Sequence, residues 1–382
     1  MIFETPQLSF EEDAALTRIN ELWRELRYYV GEPRRWVGSV RRVLGARAIQ
    51  GSNSIEGYVV SVEDALAALE GDEPAEATDE NWHAVTGYRR ALTYVLQLAH
   101  DPNFAYSPDV IKSLHFMMTE YALDAGPGLW RQGPVWVRND VTGDIVYEGP
   151  DYEQVPGLID ELVAELSSDG SAPPLVRAAM AHLNLVMIHP FRDGNGRMSR
   201  CLQTLILARE QIIPKEFSSI EEYLGSNTDS YYRILAQVGQ GQWNPGTDAR
   251  PWIRYCLEAH YIQGMSVLRR VRESEQMWRE LETLRESEGL PERVMAALFD
   301  AAVGLRVRNS SYRATLDAWG EPVSAQVATD DLRAMVKARL LVKQGVKRGT
   351  YYEAADQLTQ LRDRVRSGRR PLSAASLFEI AA

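Results

Sequence analysis

The stretch His189-Pro190-Phe191-Arg192-Asp193-Gly194-Asn195-Gly196-Arg197-Met198-Ser199-Arg200 decides how the rest of the chain is read. It lies between helical patterns at 174–188 and 197–208, so the residues from Asp193 onward form a loop entering a helix N-terminus. Gly194 and Gly196, either side of Asn195, let backbone N–H groups approach a ligand without side-chain obstruction. With the positive end of the following helix they form an anion site suited to phosphates. Arg197 and Arg200 are three apart, on one helix face, where both can reach a polyphosphate. Asp193 offers an oxygen to Mg²⁺, which usually binds through one or two carboxylates plus substrate phosphates. His189 stands at the mouth of the loop, where a general base belongs. Base, metal ligand, anion cradle and paired arginines within one short run point to phosphoryl-type chemistry and not to packing.

Outward from this loop the chain reads as mainly α-helical. Leu16, Ile19, Leu22 and Leu26 set a helical stripe over 14–30, and further helices are expected at 36–50, 79–100, 155–167 and 250–287. Ser107-Pro108 reads as an N-cap with proline at the first helical position, opening a helix through 122. Between 125 and 150, Gly126, Pro127, Gly128, Gly133 and Pro134 punctuate a β-hairpin with strands at 135–138 and 144–147. Near the C-terminus, helices at 291–303 and 324–338 precede a hairpin at 340–353 that turns around Gly345 and Gly349. That order suggests a winged helix, with 345–350 at the wing tip, followed by a loosely ordered tail from Ser367. The expected division is an N-terminal helical region at 1–104, a core at 105–262, a connecting helix at 263–288 and a winged-helix-like domain at 289–382.

The 382 residues are 45% hydrophobic and 25% charged, ordinary for a globular protein and enough for a sizeable core. Two cysteines, Cys201 and Cys256, write no disulfide framework and fit a reducing compartment. Glu4, Glu11, Glu12 and Asp13 leave no basic segment for an ordinary signal peptide, and the apolar runs are too short to span a bilayer. A soluble, cytoplasmic protein with no membrane partner is the expectation. The net charge of −11 argues against nonspecific nucleic-acid binding by the whole molecule. Residues 331–370 are the exception, with eleven Lys or Arg against four acids, a local charge of +7. Arg333 and Lys337 on a helix, with Lys347 and Arg348 at the wing, are placed to contact DNA phosphates. Asp330 and Asp331 work against that contact, and a protein-contact role for the module is favoured over DNA.

His189 to Arg200 matches the Fic pattern H-x-F-x-[DE]-G-N-G-R-x-x-R at every fixed position. The resemblance extends over roughly 40–262, through Gly128-Leu129-Trp130-Arg131 before the hairpin, Tyr231-Tyr232 after the motif, and Trp252. The Fic resemblance implies a helical core with a β-hairpin flap, and transfer of a nucleoside monophosphate, most often AMP from ATP, to a hydroxyl of a target protein. By that resemblance His189 takes the proton from a target Ser, Thr or Tyr and Asp193 holds Mg²⁺. Gly194, Asn195 and Gly196 line the phosphate site, Arg197 and Arg200 hold the β/γ-phosphates, and Tyr231 stacks on the base. The hairpin corresponds to the flap, where Val146 and Tyr147 are candidate ligand contacts, and homodimers are common in the family.

Ser52-Asn53-Ser54-Ile55-Glu56-Gly57 resembles the family's inhibitory pattern [ST]-x-x-x-E-[GN], ahead of the core. A Glu56 carboxylate paired with Arg200 would occupy the guanidinium that otherwise grips the γ-phosphate. The plainer alternative makes Ser52 a helix cap and Glu56 a solvated first-turn residue. His182, seven residues before His189, is read as a core histidine and not as half of a metal pair. The reading that follows is an adenylyltransferase restrained by Glu56. Its rivals are another nucleotide donor, removal of AMP by the same site, and a DNA-binding regulator that senses nucleotide.

Overall fold

The computed structural model describes residues 1–31, 34–71, 77–138, 143–168, 170, 172–210, 218–346 and 349–379. Lys347 and Arg348 at the expected wing tip lie outside these described residues. Over these residues the fold is mainly helical, with two two-stranded antiparallel sheets. The chain divides into two compact units, Met1–Arg27 with Leu44–Met265 and Ser373–Ala382, and Tyr28–Val43 with Ser266–Leu372.

Helix α1 spans Phe10–Gly31 and α2 spans Val37–Ile55; α3 (Val62–Glu70), α4 (Asp79–Leu98) and α5 (Pro108–Thr119) follow. Ser61, Thr78 and Ser107 cap these last three by accepting a backbone N–H three residues on. Strands β1 (Trp136–Arg138) and β2 (Ile145–Glu148) pair with Trp136 opposite Glu148, and a register shift falls between Val137 and Arg138. Then come α6 (Val155–Ser167), α7 (Pro174–Ile188), α8 (Asn195–Arg209), α9 (Glu221–Ser226), α10 (Thr228–Gly239) and α11 (Arg250–Ser287). α7 and α8 form the centre of the first unit. Both are buried on nearly every face, including polar positions His182, Asn184, Arg197, Arg200 and Gln203. A helix buried all round has no solvent side on which to put its polar residues, so each of these needs a partner inside. That requirement builds the site.

The second unit carries α12 (Met295–Val303), α13 (Asn309–Ala318), α14 (Ala325–Lys337), strands β3 (Leu341–Gln344) and β4 (Tyr351–Ala354), and α15 (Asp356–Arg366). Asp331 does not face solvent as the sequence suggested. It is buried, held bidentately by Arg293 at 2.8 Å and bonded by the Tyr312 hydroxyl, which leaves Asp330 as the acid presented on α14.

Two further differences have local causes. α2 continues to Ile55, past the expected end at residue 50, for a reason given below. The tail is not loose throughout: Leu377 is fully buried, and Arg18 donates to the carbonyls of Ser376, Leu377 and Glu379. One apolar side chain and a carbonyl clamp suffice to order a segment whose composition carries no periodicity. Among the described residues, no helix is long and apolar enough to cross a membrane.

Candidate active site

α7 ends where Pro190 forbids its continuation. His189 turns the chain with a positive φ of 51°, its N–H still bonded to Leu185 O at 3.1 Å. Left-handed backbone costs a non-glycine residue about 1–2 kcal/mol, so it persists only where the surroundings enforce it. Arg131 supplies the enforcement. Its Nε donates to His189 O at 2.9 Å and its backbone N–H to Pro190 O at 2.9 Å. The same guanidinium donates to Gly133 O and Pro150 O, at the two feet of the β1–β2 hairpin. One buried side chain thereby fixes the histidine and the hairpin together.

The loop beyond is closed from within. The Asn195 side chain accepts from Phe191 N–H and donates to Phe191 O, both at 2.9 Å. The Phe191 ring is fully buried and stacks on His115 with centroids 3.6 Å apart. His115 accepts at Nδ1 from Gly128 N–H (2.9 Å), so its Nε2–H donates to Asp193 O (2.8 Å). Burial lowers His115 to about 4, which keeps this donor–acceptor polarity fixed at neutral pH. Gly194 then takes a φ of 75° and α8 begins.

His189 donates from Nδ1 to Val186 O at 3.1 Å, which makes Nε2 the basic nitrogen. Burial pulls its pKa below 6.5, against the raising effects of the Val186 bond and of Glu56. A neutral imidazole at pH 7 is what a general base requires.

Arg197 and Arg200 are both buried. Arg197 lies over the Tyr58 ring at 4.9 Å and donates to Tyr121 Oη (3.4 Å) and Asp193 Oδ2 (3.5 Å). Arg200 donates from Nε to Ser52 Oγ (2.8 Å), and from Nη2 to Ser52 O (2.9 Å) and Glu56 Oε1 (2.8 Å). Among the described residues its Nη1 is buried without a partner. A Cβ at Gly196 would overlap Glu56 Oε1 and sit 3.0 Å from that Nη1. The Glu56 carboxylate therefore rests on the first turn of α8, in the position of an anion at a helix N-terminus. Burial alone would raise Glu56, but Arg200 and then Arg197 hold it below its usual range.

The end of α2 explains how Glu56 gets there. Gly57 N–H bonds Ser54 O and Tyr58 N–H bonds Asn53 O, with Gly57 at a φ of 84°. This is a Schellman turn with Glu56 at the C-cap, and the glycine of the motif is its left-handed residue. Ser52 lies within the last turn of α2 and is fully buried, so it neither opens a helix nor faces water. One turn earlier, Gly51 crosses α9 so closely that a Cβ would overlap Glu221 O, and a Cβ on Gly225 would lie 2.6 Å from Gly51 Cα. α2 extends through Gly51 because this crossing seats it.

Of the remaining expected residues, Val146 is 39% exposed on the hairpin. Tyr147 is buried and donates from its hydroxyl to Met187 O at 2.8 Å. Tyr231 is buried beneath the site, packed on His182 and Trp252, while Tyr232 is the exposed neighbour and donates to Ile55 O. The Asp193 side chain is 52% exposed. Among the described residues, no group of three His, Cys, Asp or Glu is placed to hold a metal unaided. Sequence reading gave no role to Arg131, His115, Tyr58, Tyr121 or Gly51. For Arg131 the only signal was its place in Gly128–Arg131 ahead of the hairpin; the others have partners far away in the chain.

Residues 105–207 match the model of the Fic/DOC family. Protein adenylyltransferase fic-1 of Caenorhabditis briggsae is 31% identical over 214 residues, covering 54% of this chain and 38% of that protein. Protein adenylyltransferase Fic of Nematostella vectensis is 30% identical over 214 residues, covering 54% and 45% respectively. The chain spans less than half the length of these curated relatives. Among solved structures, a Fic family protein from Desulfovibrio desulfuricans G20 shares the fold at a TM-score of 0.58 and 20% identity, covering 92% of this chain and 98% of that one. Fic-1 of Caenorhabditis elegans does so at 0.53 and 23%, covering 67% and 72%. The loop, the helices that hold it and these matches agree: the chain carries a domain of the Fic/DOC family, spanning residues 105–207.

Proposed function

We propose that this protein is an adenylyltransferase that moves AMP from ATP to a hydroxyl of a target protein and restrains itself through Glu56. The observation that carries the reading is the Glu56 carboxylate on Arg200, at the N-terminus of α8, where a terminal phosphate reaching for Arg200 would have to displace it. The curated relatives named protein adenylyltransferases support the reaction class.

In the proposed step the target oxygen attacks the α-phosphorus of ATP and its proton passes to His189 Nε2. The bond from that phosphorus to the α–β bridging oxygen breaks, and pyrophosphate leaves. Such transfers rest on alignment and charge neutralisation. Arg197 and Arg200 neutralise the departing phosphates, and the backbone of Gly194–Gly196 lines their cradle. Asp193 fits Mg²⁺, since its carboxylate is half exposed beside the cradle and this ion needs only one or two carboxylates when phosphates complete its shell. Bound there, Mg²⁺ would neutralise polyphosphate charge. Val146 and the rest of the hairpin are read as the flap against which the target segment lies, and α12–α14 with β3–β4 as a winged-helix-like module.

Incubation with α-labelled ATP and Mg²⁺ tests the reading. Glu56→Gly should transfer label to protein, with an added AMP mass, and His189→Ala in that background should not. Label on Glu56→Gly that persists without His189 would sink the mechanism.

A further inference from the structure

The two arginines of the loop are held in opposite ways. Arg200 is held by its edge: Ser52 Oγ, Ser52 O and Glu56 Oε1 accept from its Nε and Nη2 at 2.8–2.9 Å. Arg197 is held by its face. The Tyr58 ring lies on the guanidinium, with its centroid 4.9 Å from Cζ. The edge bonds of Arg197 are long ones, to Tyr121 Oη at 3.4 Å and Asp193 Oδ2 at 3.5 Å. Among the described residues its Nε has no partner, although the side chain is fully buried.

The five N–H groups of a guanidinium lie in its plane, so a ring on its face spends none of them. Such a contact fixes the plane and leaves the edge to a ligand. A buried arginine with only stretched edge bonds suits a partner that brings several charged acceptors at once, as a polyphosphate does.

Tyr58 is fixed without help from Glu56. Its N–H bonds Asn53 O at 3.1 Å, and its hydroxyl accepts from the Tyr121 hydroxyl at 3.3 Å. Just downstream, Asn81 Nδ2 on α4 donates to Val59 O at 2.8 Å and Gln50 Nε2 on α2 to Val60 O at 2.9 Å. None of these bonds runs through the Glu56 carboxylate or Arg200. The carboxylate can therefore swing away about its own side-chain torsions while the Tyr58 ring stays on Arg197.

We propose that Tyr58 is a positioning residue whose ring aims Arg197 at the polyphosphate, while Glu56, two residues earlier, withholds Arg200. The segment ahead of the Fic domain is then part of the working site as well as its restraint. These two side chains of one turn act on nucleotide with opposite signs. The inference rests on the reading of Arg197 as a polyphosphate ligand and names the residue that acts through it.

The test uses the full chain with Glu56→Gly and measures ATP and AMP affinities by calorimetry, AMP lacking the β- and γ-phosphates. Arg197→Ala should weaken ATP and spare AMP. Tyr58→Leu keeps an apolar side chain and removes the ring. It should weaken ATP about tenfold, the worth of a desolvated guanidinium–ring contact, and also spare AMP. Tyr58→Phe should retain ATP affinity, which separates the ring from the hydroxyl. Added to Arg197→Ala, Tyr58→Leu should cost nothing further, so the cycle reads the coupling even where the single variant lowers the melting temperature. ATP affinity that holds in Tyr58→Leu would overturn the positioning role, and affinity that rises would move the ring into the restraint. Equal losses for both nucleotides, the same loss in Tyr58→Phe, or additive losses with Arg197→Ala would overturn it too. If Arg197→Ala itself leaves ATP affinity intact, the reading beneath is wrong and the proposal falls with it.

Discussion

Two helix ends converge on the start of α8, and both turn through a left-handed residue: α7 at His189 and α2 at Gly57. They are held differently. The His189 end is fixed by groups that ligand binding does not need: Arg131 on its carbonyls, His115 beneath Asp193 O, and the Asn195 bracket around Phe191. The Glu56 end reaches the core largely through Arg200 and Arg197, the side chains proposed to hold the polyphosphate. The first is over-determined and stays put. On the proposed reading the second competes with nucleotide for its own anchors, and by linkage whatever pulls Arg200 toward phosphate would loosen α2 to the same extent.

The sharpest way to break this comparison is to remove the fixed end. His189→Ala in the Glu56→Gly background should cut transfer by roughly 10²–10⁴, the usual worth of a general base, without altering ATP affinity or melting temperature. Loss of ATP binding or of fold would mean that His189 is part of the scaffold and not of the chemistry.

Removing the competing end has the next largest effect. Glu56→Gly frees a charge-assisted bond to Arg200, and transfer should rise by roughly ten- to a hundredfold. Gly51→Val should rise less. It leaves Glu56 intact but drives a side chain into the Glu221 carbonyl, and overpacking of this kind costs about 1–3 kcal/mol. The pair makes a cycle: Gly51→Val should add little to Glu56→Gly, because both act by unseating one turn. Additive gains would show that the α2–α9 crossing does something other than seat the restraint.

This contrast also explains how much could be read in advance. His189 to Arg200 was legible because its chemistry is local: base, turn, glycines and arginines follow one another in the chain. The Glu56 turn was legible as a pattern but not as a shape. Gly51, Ser52, Asn53 and Ser54 are poor helix formers, so propensity ends α2 at residue 50, whereas packing against Gly225 carries it to Ile55. Arg131 and His115 were mute because their partners lie 58 and 78 residues away. Buried Asp331 was misjudged for the same reason, its neutralising Arg293 being 38 residues upstream.

The smallest effect separates the two ends by pH. Burial sets His189 below 6.5, so the neutral base survives into mildly acid solution and is lost only as pH falls through that lowered value. Glu56 raises His189, and its removal should move the acid limb of kcat/KM further down, not up. Glu56 itself is held below its usual range by Arg200, so its charge is present at neutral pH and disappears only below the ordinary carboxylate value of 4.5. Acidification from pH 7 toward the ordinary carboxylate value should therefore leave the wild-type restraint closed. A pH–rate profile of Glu56→Gly beside ATP binding by wild type measures the two ends independently. An acid limb above 6.5, or wild-type ATP affinity that climbs toward pH 5, would mean that burial does not govern these groups and that the restraint opens with acid.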